Sequence, residues 1–394
     1  MIDKDQIRQE LHQRARELVP VLGERTAEAA RLGKLPQATI DDFQAAGFFR
    51  ILQPARYGGY ELEPRDFFEV QMTLAEGCMS SAWVLGVVAI HNWQLALFDD
   101  RAQKDVWSED DSTLISSSYM PVGKVTRVKD GFRLSGRWGF SSGSKHCDWV
   151  FLGAIVPPEK EGDAPDYRTF LLPRADYEIV DNWNVMGLEG TGSNDIVVDD
   201  VFVPDYRTHR SIDGFNQDSP GNAVNTAPLF RLPFGQIFVR AVSSSAIGAL
   251  QGALNEYLAF NRERVGVNDG RRTVLDPSAQ MVAAEATAVI DECKTVLFRN
   301  FDLMVARANA GQPLTLEERI KMRFDSAVVP EKCVQAIIKL FKCCGAMAIR
   351  NDHPINRHFR DILAGRVHVA NGPDKYGRNL GGVLMGQDNT DFFL

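Results

Sequence analysis

The spacing of apolar residues divides the chain into three stretches. Up to about residue 110 the apolar positions recur at helical spacing, and Ser80–Phe98 is apolar almost all round, which predicts a buried central helix. Between residues 113 and 204 the period changes to two, and the dipeptide Asp130-Gly131 between alternating segments predicts a β-hairpin. Beyond residue 232 long amphipathic stretches return, and they are long enough for a helical bundle.

This order predicts a mostly helical α+β protein with three domains. We expect an N-terminal helical domain over residues 1–110, a central β domain over 111–215 and a C-terminal four-helix bundle over 216–394. Residues 205–232 are rich in Asp, Asn, Gly and Pro, which predicts a long excursion or lid. The order of elements alone admits several folds.

Composition and charge exclude some classes of function. The 394 residues carry a net charge of −8, which argues against a nucleic-acid surface, because phosphate binding needs a concentrated basic face. The longest apolar run, Ala82–Ile90, is too short to span a bilayer, and we expect a cytoplasmic protein with no membrane partner. The six cysteines form no Cys-x-x-Cys pair, and His353 and His358 lack a suitably spaced third ligand, so no metal site is predicted.

Three loops combine glycine with hydroxyl side chains. They are Ile115–Gly123, Gly136–Gly143 and Gly187–Ser193. Glycine lets the backbone approach a ligand closely, and hydroxyls add hydrogen-bond donors. From the residues alone, each loop is also compatible with a purely structural turn.

Two histidines are the candidate acid–base groups. His91 lies within the apolar helix, beside Trp93, and His368 lies close to Asn371. A histidine on an apolar helix is often a satisfied core residue, although a buried imidazole also suits a base for a phenol. The sequence has no carboxylate between Arg366 and Asp374.

Taken together and in order, these segments resemble a known superfamily. The three loops, with Ser80–Trp83, His91–Trp93 and Arg360–Asn371, resemble the acyl-CoA dehydrogenase fold in its flavin-dependent monooxygenase branch. The resemblance is to oxygenase components of two-component enzymes, such as 4-hydroxyphenylacetate hydroxylase and 3-hydroxy-9,10-secoandrosta-triene-dione hydroxylase. It implies that a flavin lies between the β domain and the bundle.

The resemblance also implies a reaction and a set of residues. Reduced flavin (FMNH2 or FADH2) would react with O2 to give a C4a-hydroperoxyflavin that hydroxylates an aromatic, phenolic substrate ortho to its hydroxyl. The implied catalytic residues are His91, His368 and Ser142. The implied cofactor-binding residues are Ser117, Ser118, Trp138, Ser141, Ser142, Thr191, Ser193 and Arg264. The implied substrate-binding residues are His91, Trp93, Ser117, His368 and Asn371.

Partners and alternatives follow from the same comparison. No Gly-x-Gly-x-x-Gly motif is present, so a separate NAD(P)H:flavin reductase is expected, and the resemblance implies a homotetramer. An acyl-CoA dehydrogenase is one alternative, but histidine stands where many dehydrogenases have a base carboxylate. The others are an N- or S-oxygenating enzyme of the same fold and a non-catalytic flavin or lipid carrier.

Overall fold

The N-terminal part of the chain is helical, as predicted. The computed structural model describes residues 4–158, 160, 162, 165–266, 270–391, 393 and 394. The helices before the sheet are α1 (Lys4–Glu24), α2 (Thr26–Leu32), α3 (Gln37–Ala46), α4 (Pro64–Gly77), α5 (Met79–Leu95) and α6 (Asp100–Trp107). Every residue of α5 is buried, which confirms the predicted central helix.

A mixed sheet follows these helices. Its strands are β1 (Ile115–Val128), β2 (Gly131–Ser141), β3 (Trp149–Val156), β4 (Asp166–Pro173), β5 (Glu178–Val180), β6 (Asn194–Pro204) and β7 (Thr208–Arg210). The strand order is β5-β6-β2-β1-β3-β4-β7, with β1 and β3 parallel and the other pairs antiparallel. Val128 pairs with Gly131, and Asp130 adopts a φ of 62°, which confirms the predicted hairpin turn.

The segment predicted as an excursion is a packed part of the fold. Strand β7 pairs with β4, and the short helix α7 (Ser211–Asn216) follows it. Gly221 N donates to Leu97 O at 3.0 Å, and Asn225 Nδ2 donates to Ala96 O at 2.8 Å. These bonds fasten the segment to the end of α5, so its polar residues cap backbone groups and do not form a loose lid.

The C-terminal part is a helical bundle that packs against α4 and α5. Its helices are α8 (Phe234–Ala241), α9 (Ser245–Glu263), α10 (Pro277–Asn309), α11 (Leu316–Cys343), α12 (Pro354–Arg366) and α13 (Pro373–Leu384). Among the described residues, the stretch Phe234–Glu263 is long and apolar enough to cross a membrane, but 94% of its most apolar window is buried inside the fold. We therefore assign this stretch to the hydrophobic core of the protein.

Candidate active site

Three hydroxyl side chains and an indole form a continuous chain of hydrogen bonds beside α5. Trp83 Nε1 donates to Ser142 Oγ at 3.2 Å, and Ser142 Oγ lies 2.7 Å from Ser193 Oγ. Ser193 Oγ lies 2.7 Å from Thr191 Oγ1, which donates to Leu188 O at 2.9 Å. We call these groups the hydroxyl chain. It joins three of the residues that the sequence proposed as cofactor-binding.

A β-bulge in β2 decides which serine enters the hydroxyl chain. Trp138 pairs with Ile196 and Ser141 with Asn194, so β2 has one residue more than β6 between these pairs. The extra residue is accommodated at Phe140, which has a φ of 63° and is 68% exposed. Ser141 is therefore on the same face of the sheet as Trp138 and is fully buried, and the next residue, Ser142, reaches the hydroxyl chain.

Helix α12 holds the turn that carries Thr191 and Ser193. A Cβ at Gly187 would lie 2.3 Å from Arg360 O, so only glycine fits this approach. Leu188 N donates to Asp361 Oδ1 at 2.7 Å, and burial raises the pKa of this carboxyl to about 6. The acceptor at the end of the hydroxyl chain, Leu188 O, is thus fixed from the neighbouring domain.

His368 lies next to the other end of the hydroxyl chain. Its ring meets the Trp83 ring edge-on, with 5.7 Å between centroids, and its Nδ1 accepts a hydrogen bond from Ala370 N at 3.1 Å. In the neutral ring the proton is therefore on Nε2. Burial and the charge of Arg323 lower the pKa of His368 to about 4. Asn371 supports this turn, because its Nδ2 donates to both Val242 O and Gly365 O at 2.8 Å.

His91 occupies a separate, fully buried position on α5. Its Nδ1 lies 2.6 Å from Ile115 O, which can only accept, so the neutral ring carries its proton on Nδ1 and a lone pair on Nε2. Nε2 has no partner among the described residues. Burial lowers the pKa of His91 to about 4, although the bond to Ile115 opposes this shift. The arrangement leaves a neutral imidazole whose free nitrogen accepts a proton or a hydrogen bond.

Hydroxyl and aromatic groups surround His91. Tyr119 and Phe151 meet its ring edge-on at 6.1 and 5.6 Å between centroids. Ser117 pairs with Phe151 across the β1–β3 ladder, and Tyr119 follows Ser117 by two positions along β1. These three side chains therefore share one face of the sheet. The structure therefore brings predicted Ser117 to the same side as His91.

An aromatic wall extends from Tyr119 to the end of the chain. We use this name for Tyr119, Phe234, Phe238 and Phe393. Tyr119 lies 5.5 Å from Phe234 and 4.8 Å from Phe238, and Phe393 packs edge-on against both phenylalanines. Trp93, which was predicted to bind substrate, stacks on Phe234 with 6.2 Å between ring centroids. Its indole nitrogen donates to Leu229 O at 3.0 Å. Trp93 thus supports the wall from the core.

Three of the proposed cofactor-binding side chains have other contacts. The Trp138 indole is fully buried in the sheet core and donates to Gly153 O at 2.8 Å. Ser118 Oγ donates to Gly139 O at 2.7 Å, which fastens β1 to the bulge. Arg264 Nη1 donates to Cys343 O at the end of α11 at 2.6 Å. The structure does not bring the side chains of these three residues into the hydroxyl chain or beside His91.

Sequence reasoning missed other residues of the site. Trp83 is the donor that begins the hydroxyl chain, and Asp361 fixes its far end. Tyr119 donates to Gln94 Oε1 and is the member of the aromatic wall that contacts His91. The signal for Trp83 was its position eight residues before His91, about 12 Å along the same helix. Asp361 lies within the Arg360–Asn371 segment of the resemblance, but its bond to Leu188 N was not predicted, because that partner is 173 residues away.

The donor and acceptor set fits the flavin that the resemblance implies. His91 Nε2 and Ser141 Oγ are buried and lack partners among the described residues, and such groups in a native protein need an explanation. Trp83 and His91 are separated by about 12 Å along α5, so this one helix has polar groups at two separate points along a fused three-ring system. Ser142 and Ser117 would hold such a ring system at its polar edge.

Comparisons with known proteins agree with this arrangement. Residues 3–110 match the family described as acyl-CoA dehydrogenase, N-terminal domain, and residues 241–373 match acyl-CoA dehydrogenase, C-terminal domain. The chain is 39% identical over 364 residues to the flavin-dependent monooxygenase oxygenase subunit HsaA of Rhodococcus jostii, covering 92% of this chain and 95% of that protein. It is 32% identical to the oxygenase component of an FADH2-dependent resorcinol hydroxylase of Rhizobium, covering 92% and 90%. The crystal structure of 3-HSA hydroxylase from Rhodococcus superposes with a TM-score of 0.93 at 38% identity, covering 98% and 99%.

Proposed function

Because the chain belongs to the oxygenase components of flavin-dependent aromatic hydroxylases with the acyl-CoA dehydrogenase fold, we propose that it hydroxylates a phenol ortho to its hydroxyl group, with His91 as the base. The enzyme uses reduced flavin and a small aromatic substrate. When bound, reduced flavin supplies the electrons that activate O2 and delivers one oxygen atom to the ring.

The observation that carries the proposal is the hydrogen bond between His91 Nδ1 and Ile115 O, which determines the ring nitrogen that carries the proton. Its Nδ1 proton is committed to Ile115 O, so Nε2 is the free acceptor. An imidazole with a lowered pKa is neutral at pH 7 and can accept the hydrogen bond of a phenolic O–H. Withdrawing this proton raises electron density at the ortho carbon, where the oxygen must attach.

The other residues have distinct proposed roles. Ser142 would contact the reactive edge of the flavin, and Ser117 would hold the substrate hydroxyl or the flavin edge. His368, whose neutral ring carries its proton on Nε2, would move a proton on the opposite side. Asn371 would position His368 through its bonds to Val242 O and Gly365 O. The residues that exclude water are the apolar groups of α5 and the aromatic wall, and a dry site suppresses loss of peroxide.

The aromatic wall supports a proposal on the substrate. Tyr119 lies beside His91, and Phe234 and Phe238 pack on the Tyr119 ring, so the side chains that continue from His91 in this direction are aromatic and carry no charge. Such a surface favours an apolar, multi-ring phenol over a small charged one. We therefore expect 2-naphthol to be bound more tightly than 4-hydroxyphenylacetate.

Assembly and partners complete the proposal. The oxygenase-component relatives support a separate NAD(P)H:flavin reductase as the electron source. Val367 and Val369, on either side of His368, are 80% and 76% exposed, and Leu384 and Met385 are similarly exposed. An apolar surface of this kind supports the proposed homotetramer, and light scattering of the purified protein would test the subunit number.

Replacing His91 by Ala tests the role of the base. Reduced FMN, prepared chemically so that no reductase is needed, is mixed with enzyme, O2 and either resorcinol, 4-hydroxyphenylacetate or 2-naphthol. We expect the variant to oxidise the flavin but to form at least about 100-fold less catechol-type product, with H2O2 released in its place. Product and H2O2 are measured per flavin oxidised.

A second buried histidine provides the matched control. His209 is also buried, and its Nε2 lies 3.0 Å from Ser219 Oγ, outside the proposed site. His209→Gln should retain the product yield of the unaltered enzyme. Hydroxylation by the His91→Ala variant with an unchanged yield would overturn the assignment of His91.

A further inference from the structure

The hydroxyl chain is buried along its whole length. Trp83, Ser142, Ser193 and Thr191 are 5%, 9%, 5% and 1% exposed. Its links measure 3.2, 2.7, 2.7 and 2.9 Å from the indole nitrogen to Leu188 O. Water therefore has little access to replace a link, and each hydroxyl has to use its single proton within the chain or toward a ligand.

The two ends of the chain determine the direction of every link. An indole N–H only donates and a backbone carbonyl only accepts. Thr191 gives its proton to Leu188 O, so it can only accept from Ser193. Ser193 in turn can only accept from Ser142, whose proton is thereby committed.

The direction leaves Ser142 with one unused lone pair and no unused proton. One lone pair accepts the Trp83 N–H, and the proton goes to Ser193. Toward a ligand, Ser142 is therefore a hydrogen-bond acceptor. Leu188 itself is held in place, because its O also accepts from the Trp183 indole at 3.1 Å and its N donates to Asp361, and a carbonyl has no proton with which the link to Thr191 could reverse.

We propose that Ser193 and Thr191 are positioning residues that fix Ser142 as an acceptor and thereby make the site prefer reduced flavin over oxidised flavin. Reduced flavin carries an N–H at its central ring nitrogen N5, whereas oxidised flavin has only a lone pair there. An acceptor facing this atom bonds the first and repels the second. The inference rests on the proposed function, in which Ser142 faces that edge of the flavin.

The test is the ratio of two dissociation constants. Unaltered enzyme is titrated with oxidised FMN in air and with chemically reduced FMN under anaerobic conditions, by flavin absorbance and fluorescence. We expect reduced FMN to bind more tightly. In Ser193→Ala the Ser142 proton is freed to bond oxidised flavin, and the ratio of the oxidised to the reduced constant should fall about tenfold.

Further variants separate this effect from a loss of structure. Thr191→Val preserves the shape of the side chain but removes the acceptor of Ser193, so it should lower the ratio in the same direction. Thr191→Ser retains the hydroxyl and should retain the ratio. Ser135→Ala removes a hydroxyl in β2, outside the hydroxyl chain, that accepts from Asp200 N, and it serves as the matched control.

The possible results separate the inference from the proposed function. If Ser193→Ala and Thr191→Val weaken both forms of FMN equally, the chain has only a structural role and the inference is wrong. The same conclusion follows if the unaltered enzyme binds both forms with equal affinity. The same titrations are made with FAD, and if the unaltered enzyme binds neither form of FMN and neither form of FAD, the proposed flavin site is wrong, and with it the inference.

Discussion

At the scale of single residues, the environment of His91 predicts the pH dependence of the reaction. Burial lowers its pKa to about 4, well below the ordinary value near 6.5. The reaction needs the neutral ring, so kcat/KM for a phenol should stay level from pH 8 to pH 5 and fall only near pH 4. The measurement is kcat/KM for the phenol at saturating reduced flavin, which reports the ionising groups of the flavin-loaded enzyme before the phenol binds. An acid limb near pH 6.5 would contradict the buried, neutral imidazole.

At this scale the sequence predicted candidate site residues but not how their side chains are arranged. It proposed His91, Ser142, Thr191 and Ser193 through the resemblance of their segments to a known superfamily, because the residues alone were also compatible with structural turns and a core histidine. It could not separate Ser142 from Ser141, since the bulge that orients them leaves no sequence signal. Side-chain roles for these residues remain predictions that the experiments above test.

At the scale of elements, the packing of α9 on α4 depends on two glycines one turn apart. A Cβ at Gly248 would lie 1.9 Å from Met72 O, and one at Gly252 would lie 2.3 Å from Glu76 O. Backbone atoms cannot move aside, so Gly248→Ala should lower the free energy of unfolding by about 1–3 kcal/mol, despite the better helix propensity of alanine. Urea unfolding measures this change.

A glycine of α13 gives the matched control for this prediction. A Cβ at Gly381 would meet no atom within 4 Å. Gly381→Ala should therefore leave stability unchanged or raise it by up to about 1 kcal/mol, through helix propensity alone. Equal effects at both positions would show that close packing does not explain Gly248.

Elements with strong periodicity were predictable, and those defined by contacts were not. The buried helix α5 and the Asp130-Gly131 hairpin follow from local patterns. Helix α13 was missed because Gly377, Gly381 and Gly382 interrupt its pattern. Strand β7 has only three residues, and its pairing with β4 is what makes it a strand.

At the scale of the whole molecule, buried histidines predict how stability depends on pH. His91, His209 and His358 are 0%, 5% and 1% exposed, and burial lowers the pKa of each, to about 4 for the first two. Between pH 6.5 and 4 the unfolded chain binds more protons at these sites, so stability falls as pH falls, by about 1.4 kcal/mol per unit of pKa shift. Burial also lowers the pKa of His146, His353 and His368, and it raises the pKa of Asp361, Glu76 and Asp213, so three carboxyls oppose a trend set by six histidines.

Urea unfolding at pH 7.5, 6 and 5 measures this dependence. We expect a nearly constant free energy of unfolding above pH 7 and a steep decline below pH 6.5. His209→Gln should make the decline shallower without changing its direction. A free energy that stays level down to pH 5 would mean that these rings are hydrated in the folded protein.

The bulge at Phe140 determines which side chains at the end of β2 face the sheet core and which face the hydroxyl chain. In a regular pleat, residues 138, 140 and 142 would share a face, and Ser142 would point with Trp138 into the sheet core. The extra residue shifts the alternation of side chains by one position. Ser141 therefore shares the face of Trp138, and Ser142 points away from the sheet core and joins the hydroxyl chain. Phe140→Gly would keep this shift and relieve its left-handed strain. An insertion or deletion between Trp138 and Ser141 would shift this alternation by one position and bring a different side chain to the place of Ser142 in the hydroxyl chain.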